Sequence, residues 1–237
     1  MRGKGDGPVE RYNEKFMREP DWKSVRAVIF DLDGTLIDSK NDLICSVNAM
    51  LGELGRQELA AETISSYIGH GAPQLVARAL GNGCTETERE RALEFFLRHY
   101  NEHKTDTTRA YPGVRETLER LDSRPMAVLT NKPVRISVRI LEELGLAQYF
   151  RSIYGGNSFS TKKPDPLGAR TILAELSAKA NEAVLVGDSE VDVQTARNAG
   201  MWAATVNHGF GVHDRERFPA DIYLEQFADL ATLLGTG

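Results

Sequence analysis

Val25-Arg26-Ala27-Val28-Ile29-Phe30 runs directly into Asp31-Leu32-Asp33-Gly34-Thr35-Leu36. The first stretch is a short apolar run rich in branched side chains. It is closed by charge and glycine, which reads as a buried strand ending in a loop. In extended chain, residues two apart point to the same side, and Gly34 permits a tight exit, so Asp31 and Asp33 are crowded together. Like charges that close resist joint ionisation unless a cation enters or one keeps its proton. On its own such a loop is an Asx turn after a strand. A calcium loop is excluded, because its glycine belongs at loop position six, where Leu36 stands, and because this loop follows a strand.

Outward from this loop the period changes. Leu43, Ile44, Val47, Met50, Leu51 and Leu54 recur at helical spacing, and Gly55 supplies a stop. Thr85-Glu86-Thr87-Glu88 has the form of a capping box and opens a helix expected to bury Leu93, Phe96, Leu97 and Tyr100. Nothing between residues 38 and 108 resembles a strand. From Tyr111-Pro112-Gly113 onward, apolar runs at Met126 to Leu129, Ala183 to Val186 and Trp202 to Val206 alternate with helical patterns over residues 133–144, 166–176 and 190–199. That alternation predicts a mainly parallel sheet covered on both faces. The expected fold is α/β, a Rossmann-like parallel sheet core with an inserted all-helical cap. The expected division is an N-terminal tail (1–22), a core (23–37 and 109–237) and the helical insertion (38–108).

Composition narrows the function classes. Of 237 residues 41% are hydrophobic and 27% charged, which supports a sizeable core and excludes disorder and fibrous repeats. Lys and Arg number 29 against 34 Asp and Glu, so the basic excess of a nucleic-acid binder is absent. Cys45 and Cys84 make no disulfide framework, and no apolar run approaches the roughly 20 residues of a membrane helix. A cytoplasmic protein is expected, with neither nucleic acid nor membrane as partner.

In an open α/β sheet, ligands sit outside the carboxyl ends of the strands. Three apolar runs end in reactive groups: Asp31 to Leu36, Thr130-Asn131, and Gly187-Asp188-Ser189-Glu190-Val191-Asp192. Lys162-Lys163-Pro164-Asp165-Pro166 lies between the last two. Taken singly, each has a plain explanation. Thr130 or Asn131 caps a helix with Pro133 in its first turn, Ser189 and Asp192 cap another, and Lys163 is a solvated loop lysine. A capped helix start is also an anion site. Together, an acid pair, a hydroxyl with free amides, a lysine and a second acid pair make a phosphoryl-transfer site.

These four segments, in this order and spacing, resemble the four motifs of the haloacid dehalogenase-like hydrolase superfamily, over residues 25 to 235. DLDGTL is the most specific of them and GDSEVD the next. The resemblance implies that Asp31 is the nucleophile, forming an aspartyl-phosphate, and Asp33 the acid/base. It implies further that Thr130 and the Asn131 amide hold phosphate oxygens and that Lys163 neutralises charge and orients Asp31. Asp188 would bind Mg²⁺ with Asp31 and the backbone carbonyl of Asp33, with Asp192 in support. Magnesium takes few carboxylates, with waters and phosphate completing its shell, which suits this set.

The helical insertion resembles the cap of the phosphoglycolate phosphatase-like branch. Ile68-Gly69-His70-Gly71-Ala72-Pro73 is similar to its cap loop, and Tyr111-Pro112-Gly113-Val114 to its return hinge. The resemblance therefore implies a Mg²⁺-dependent phosphatase acting on a small phosphate monoester such as 2-phosphoglycolate. Gly69, His70 and Gly71 would face the leaving group and set specificity. A metal-free dehalogenase is disfavoured by Asp33 and Asp188. A sugar-phosphate mutase resembling β-phosphoglucomutase is the runner-up, and a noncatalytic phospho-ligand-binding module is a third possibility. His99 stands singly, and His103, His208 and His213 are expected at the surface or in loops.

Overall fold

The computed structural model describes residues 20–210 and 214–235. All but three residues of the expected N-terminal tail, and His213, lie outside that range.

The first strand, β1 (Ala27–Phe30), forms where the apolar run predicts it. It is followed by β2 (Ile37–Asp38), then four helices: α1 (Lys40–Glu53), α2 (Ala61–Ser65), α3 (Ala72–Leu80) and α4 (Glu86–His103). Next come β3 (Arg109–Ala110), α5 (Val114–Arg120), β4 (Met126–Leu129), α6 (Val134–Glu143) and β5 (Ser152–Tyr154). The chain continues through α7 (Leu167–Glu175), β6 (Ala183–Gly187), α8 (Glu190–Ala199), β7 (Trp202–Val206), β8 (Ile222–Leu224) and α9 (Asp229–Leu233).

Six strands form one sheet in the order β5-β4-β1-β6-β7-β8, every neighbouring pair parallel. Alternation along β1 explains the layering. Val28 and Phe30 belong to the apolar cluster with Leu118 of α5, Ile140 of α6 and Leu230 of α9. Ala27 and Ile29 belong to the opposite cluster, with Ile172 of α7 and Ala196 of α8. A strand buried on both faces must be apolar throughout, which is why β1, β4 and β6 read as unbroken runs. The architecture is thus an α/β Rossmann-like parallel sheet with a helical cap inserted after the first strand.

The helical segment leaves and returns through β2 and β3, which pair antiparallel with Ile37 opposite Ala110 and Asp38 opposite Arg109. Within it α1 and α3 pack on α4. The capping box forms: the Glu88 N–H donates to Thr85 Oγ1 at 3.2 Å, and the Thr85 N–H to Glu88 Oε2 at 2.8 Å. Two details of the expected helix faces differ. Leu93 and Leu97 are only partly buried, Ala92 taking the inner position, and Leu54, just past the end of α1, is exposed.

One tie closes this insertion at its base. Asp42, 3% exposed at the start of α1, accepts the Thr107 N–H at 3.0 Å and the Thr108 N–H at 2.9 Å. It also accepts their hydroxyls at 2.6 and 2.7 Å. Burial pushes its carboxyl up, but these hydrogen bonds outweigh it and hold the pKa below the usual value. A lowered folded-state pKa gives stability that is present above the unfolded value and lost as pH falls through the folded one. Asp42→Ala is therefore expected to cost about 3 kcal/mol at neutral pH, lowering the melting midpoint by roughly 6–12 °C. The gap should narrow below about pH 4. Melting curves at both pH values check this, and an equal gap would tie the loss to packing instead of the carboxylate.

Candidate active site

β4, β1 and β6 are neighbours in the sheet, so the residues that follow them converge at one edge. The Asp31 N–H donates to the Val186 carbonyl at 2.9 Å, carrying the ladder one residue past β1. The Thr130 N–H donates to the Tyr154 carbonyl at 3.0 Å in the same way. Asp188 follows β6, and Lys163 enters from the loop before α7. Asp31, Thr130, Asn131, Lys163, Asp188 and Asp192 are all buried.

Lys163 Nζ lies 2.9 Å from Asp31 Oδ1 and 2.6 Å from Asp192 Oδ1. The second oxygen of Asp192 accepts the Ser189 hydroxyl at 2.7 Å and the Ser189 N–H at 3.2 Å, so both its oxygens are engaged. Asp31, Asp188 and Asp192 each offer a carboxylate oxygen within 4.8 Å of the others. Burial, partly opposed by the Lys163 charge, pushes the Asp31 carboxyl up to about 6. Lys163, against the penalty of burial, is raised above the ordinary lysine value by Asp192 and Asp31.

Asp188 is held by backbone. The Phe210 N–H donates to its Oδ2 at 3.0 Å, and Gly34, at φ +80°, passes so close that a Cβ there would stand 2.2 Å from the same oxygen. Only glycine serves this loop on both counts, conformation and space.

Asp33 has partners the sequence did not announce. Lys132 Nζ donates to its two oxygens at 2.8 and 2.9 Å, and the Ser39 hydroxyl donates at 2.5 Å. The same ammonium reaches the Tyr100 hydroxyl of α4 at 2.7 Å. Lys132 is 6% exposed and Tyr100 1% exposed. A lysine beside a proline at a helix start reads as solvated, and Tyr100 as core, so neither was visible as part of the site. The one available signal was adjacency: Lys132 directly follows Thr130-Asn131.

Asn131 does more than cap. Its side-chain amide donates to the Gly69 carbonyl and to the Lys163 carbonyl, each at 3.1 Å, tying the loop before α3 to the lysine loop. Gly71, at φ +87°, packs against the Asn131 carbonyl, where a Cβ would approach to 2.9 Å. A cleft of about 530 Å³, part of it open to solvent, lies between sheet edge and helices. Asp31, Asp33, Thr130, Asn131, Lys132, Tyr100, Gly69 and Gly71 line it, together with apolar groups from the helical segment. The His70 ring is not among the lining groups. It is half-buried, and burial with the Arg78 charge holds its pKa below the usual histidine value.

His208 lies in the loop after β7, as expected, and is half-buried. Its Nε2 stands 3.2 Å from the Thr35 carbonyl and its ring 4.0 Å from that of Tyr111. His103, half-buried at the end of α4, pairs with Asp106 at 2.8 Å, and His99 Nδ1 stands 3.1 Å from the Ser46 hydroxyl.

A parallel α/β core with its reactive groups at the strand ends, beneath an inserted helical layer, defines a Rossmann-like protein with a capped site. The chain belongs to the haloacid dehalogenase-like hydrolase family, which it matches over residues 28–206. It is similar to the phosphoglycolate phosphatase of Pseudomonas syringae pv. tomato, with 42% identity over 195 residues, 79% of this chain and 71% of that one. The phosphoglycolate phosphatase of Chromobacterium violaceum is 39% identical over 221 residues, covering 91% and 99% of the two chains. The crystal structure of a predicted phosphoglycolate phosphatase from Haemophilus somnus superposes with a TM-score of 0.84 at 29% identity, over 89% of this chain and 98% of that one. These likenesses place the chain in the phosphoglycolate phosphatase-like branch, among phosphoric monoester hydrolases.

Proposed function

We propose that this chain hydrolyses a small anionic phosphate monoester of the 2-phosphoglycolate type, with Mg²⁺ as cofactor and an aspartyl-phosphate on Asp31 as intermediate. The observation that carries it is the buried group at the end of β1: Asp31, paired with Lys163 and clustered with Asp188 and Asp192.

Asp31 attacks phosphorus, the ester P–O bond breaks, and Asp33 gives its proton to the departing alkoxide oxygen. Asp33 then takes a proton from water, the resulting hydroxide attacks phosphorus, and the acyl-phosphate bond breaks to free phosphate and restore the Asp31 carboxylate. The Thr130 hydroxyl and the Asn131 N–H hold phosphoryl oxygens. Lys163 offsets charge beside Asp31, and Asp192, with both oxygens engaged, orients Lys163. Gly69 and Gly71 bring backbone to the leaving-group side, with His70 between them at the rim, while the helices act as a cap that excludes water.

The residues fit a hard divalent cation: three buried carboxylates lie within reach of one another. Asp31, Asp188 and the Asp33 carbonyl would hold Mg²⁺, which when bound supplies positive charge for the nucleophile and the phosphoryl oxygens. A sugar phosphate suits the cleft less well. Apart from Tyr100, whose hydroxyl accepts from Lys132, its helical wall is lined by Leu43, Ile68, Leu75, Phe96 and Leu97, which offer nothing to ring hydroxyls. A cytoplasmic setting agrees with two free cysteines, and among the described residues no helix is long and apolar enough to cross a membrane.

The test is phosphate release from 2-phosphoglycolate, glucose 1-phosphate and p-nitrophenyl phosphate, with Mg²⁺ and with excess chelator. Hydrolysis of the first is expected only with metal. Asp188→Ala should raise the Mg²⁺ concentration needed for half-activation more than Asp192→Ala does. Isomerisation of the sugar phosphate without net release would replace this proposal with the mutase, and full activity in chelator would remove the metal.

A further inference from the structure

The cleft has two chemically different ends. Around Asp31 it is polar, and Lys163 there is committed to Asp31 and Asp192. Toward the helices the wall is apolar, and Lys132 is the sole basic side chain among the described residues that line the cleft. An anionic leaving group therefore meets one cation on its own side. His70 cannot fill that place as a cation near neutral pH, because burial and Arg78 favour its neutral form.

Lys132 is arranged as an exchangeable partner. Its three donors go to the two oxygens of Asp33 and to the Tyr100 hydroxyl, and its ammonium lies 4.4 Å from the centre of the Tyr100 ring. Asp33 accepts from Lys132 on both oxygens and from Ser39 on Oδ1, which holds its carboxylate toward the ammonium. An arriving carboxylate can replace Asp33 as the acceptor, so that the ammonium stays paired, and Asp33 keeps its Ser39 hydrogen bond.

Resting on the phosphatase reaction above, we propose that Lys132 determines specificity by binding the carboxylate of the substrate's leaving group, and that this exchange releases Asp33 to the ester oxygen. Tyr100, fixed in α4, keeps the ammonium on the leaving-group side while the partners change.

The test compares 2-phosphoglycolate with ethyl phosphate, in which a methyl group stands in place of the carboxylate. Lys132→Met should lower the ratio of kcat/KM for 2-phosphoglycolate to that for ethyl phosphate roughly 30- to 100-fold, the range for a charged hydrogen-bond partner. Lys132→Arg should retain most of the preference, and Tyr100→Phe should affect both substrates alike. Circular dichroism and the melting midpoint report folding, with Lys132→Gln used if the Met variant does not fold. Equal losses on both substrates, or none on either, overturn the proposal while leaving the phosphatase intact. A wild-type enzyme inert toward 2-phosphoglycolate but active on other esters overturns the substrate assignment and this inference together.

Discussion

Asp31→Asn is expected to abolish turnover, lowering kcat by roughly 10⁴-fold or more, as removal of a catalytic nucleophile does. Asparagine keeps the shape and loses the attacking charge, so the loss should fall on the rate while the fold persists. The stability change has a definite sign. Burial raises the Asp31 pKa to about 6, so the folded protein binds the proton more tightly than the unfolded chain does. In chelator, wild-type stability therefore falls as pH rises from about 4 through about 6. Asparagine imitates the protonated acid and escapes that loss. The variant's melting midpoint relative to wild type should climb over this interval and level off above it. Melting scans across pH with steady-state kinetics check both parts. Turnover near wild type, with deamidation excluded by mass spectrometry, would sink the covalent mechanism.

Lys163→Met is the second large effect, because it strikes activity and stability together. The ammonium is buried and serves Asp31 and Asp192, so its loss strands two buried carboxylates. Breaking such a pair costs about 3–5 kcal/mol, and loss of the charge aimed at the reacting group costs roughly 10³-fold in kcat. Adding Asp192→Asn to this variant removes one stranded charge and should return part of the stability but none of the turnover. That split separates the two roles of Lys163. Recovery of both together would mean that the lysine acts only through Asp192.

Strands buried on both faces were legible because nothing charged interrupts them: β1, β4 and β7 fall on their apolar runs, and β6 extends one residue past its run to Gly187. The edge strands were not. β5 and β8 have three residues each and are mostly half-buried, so neither a run nor an alternation develops. In the site, residues with an intrinsic chemical signature announced themselves, as the Asp31-Asp33 pair did. Ser39, Tyr100 and Lys132 act through distance instead. Lys132 is 99 residues from Asp33 and 32 from Tyr100, and only the packing of α4 over the sheet brings the three together. The Asn131 amide is similar, since its acceptors on Gly69 and Lys163 lie 62 and 32 residues away.

The helical segment leaves and returns through a two-stranded ribbon of its own, with Ile37 opposite Ala110 and Asp38 opposite Arg109. Paired antiparallel residues stand about 5 Å apart, a gap that a tight turn closes. The helices are thus a cassette whose two ends meet at one seam. A different set of helices can be spliced in at that seam while the strand termini bearing Asp31, Thr130 and Asp188 stay where the sheet puts them. The apolar wall that meets a leaving group thus lies on the inserted stretch, while the phosphoryl groups and Lys132 stay with the sheet.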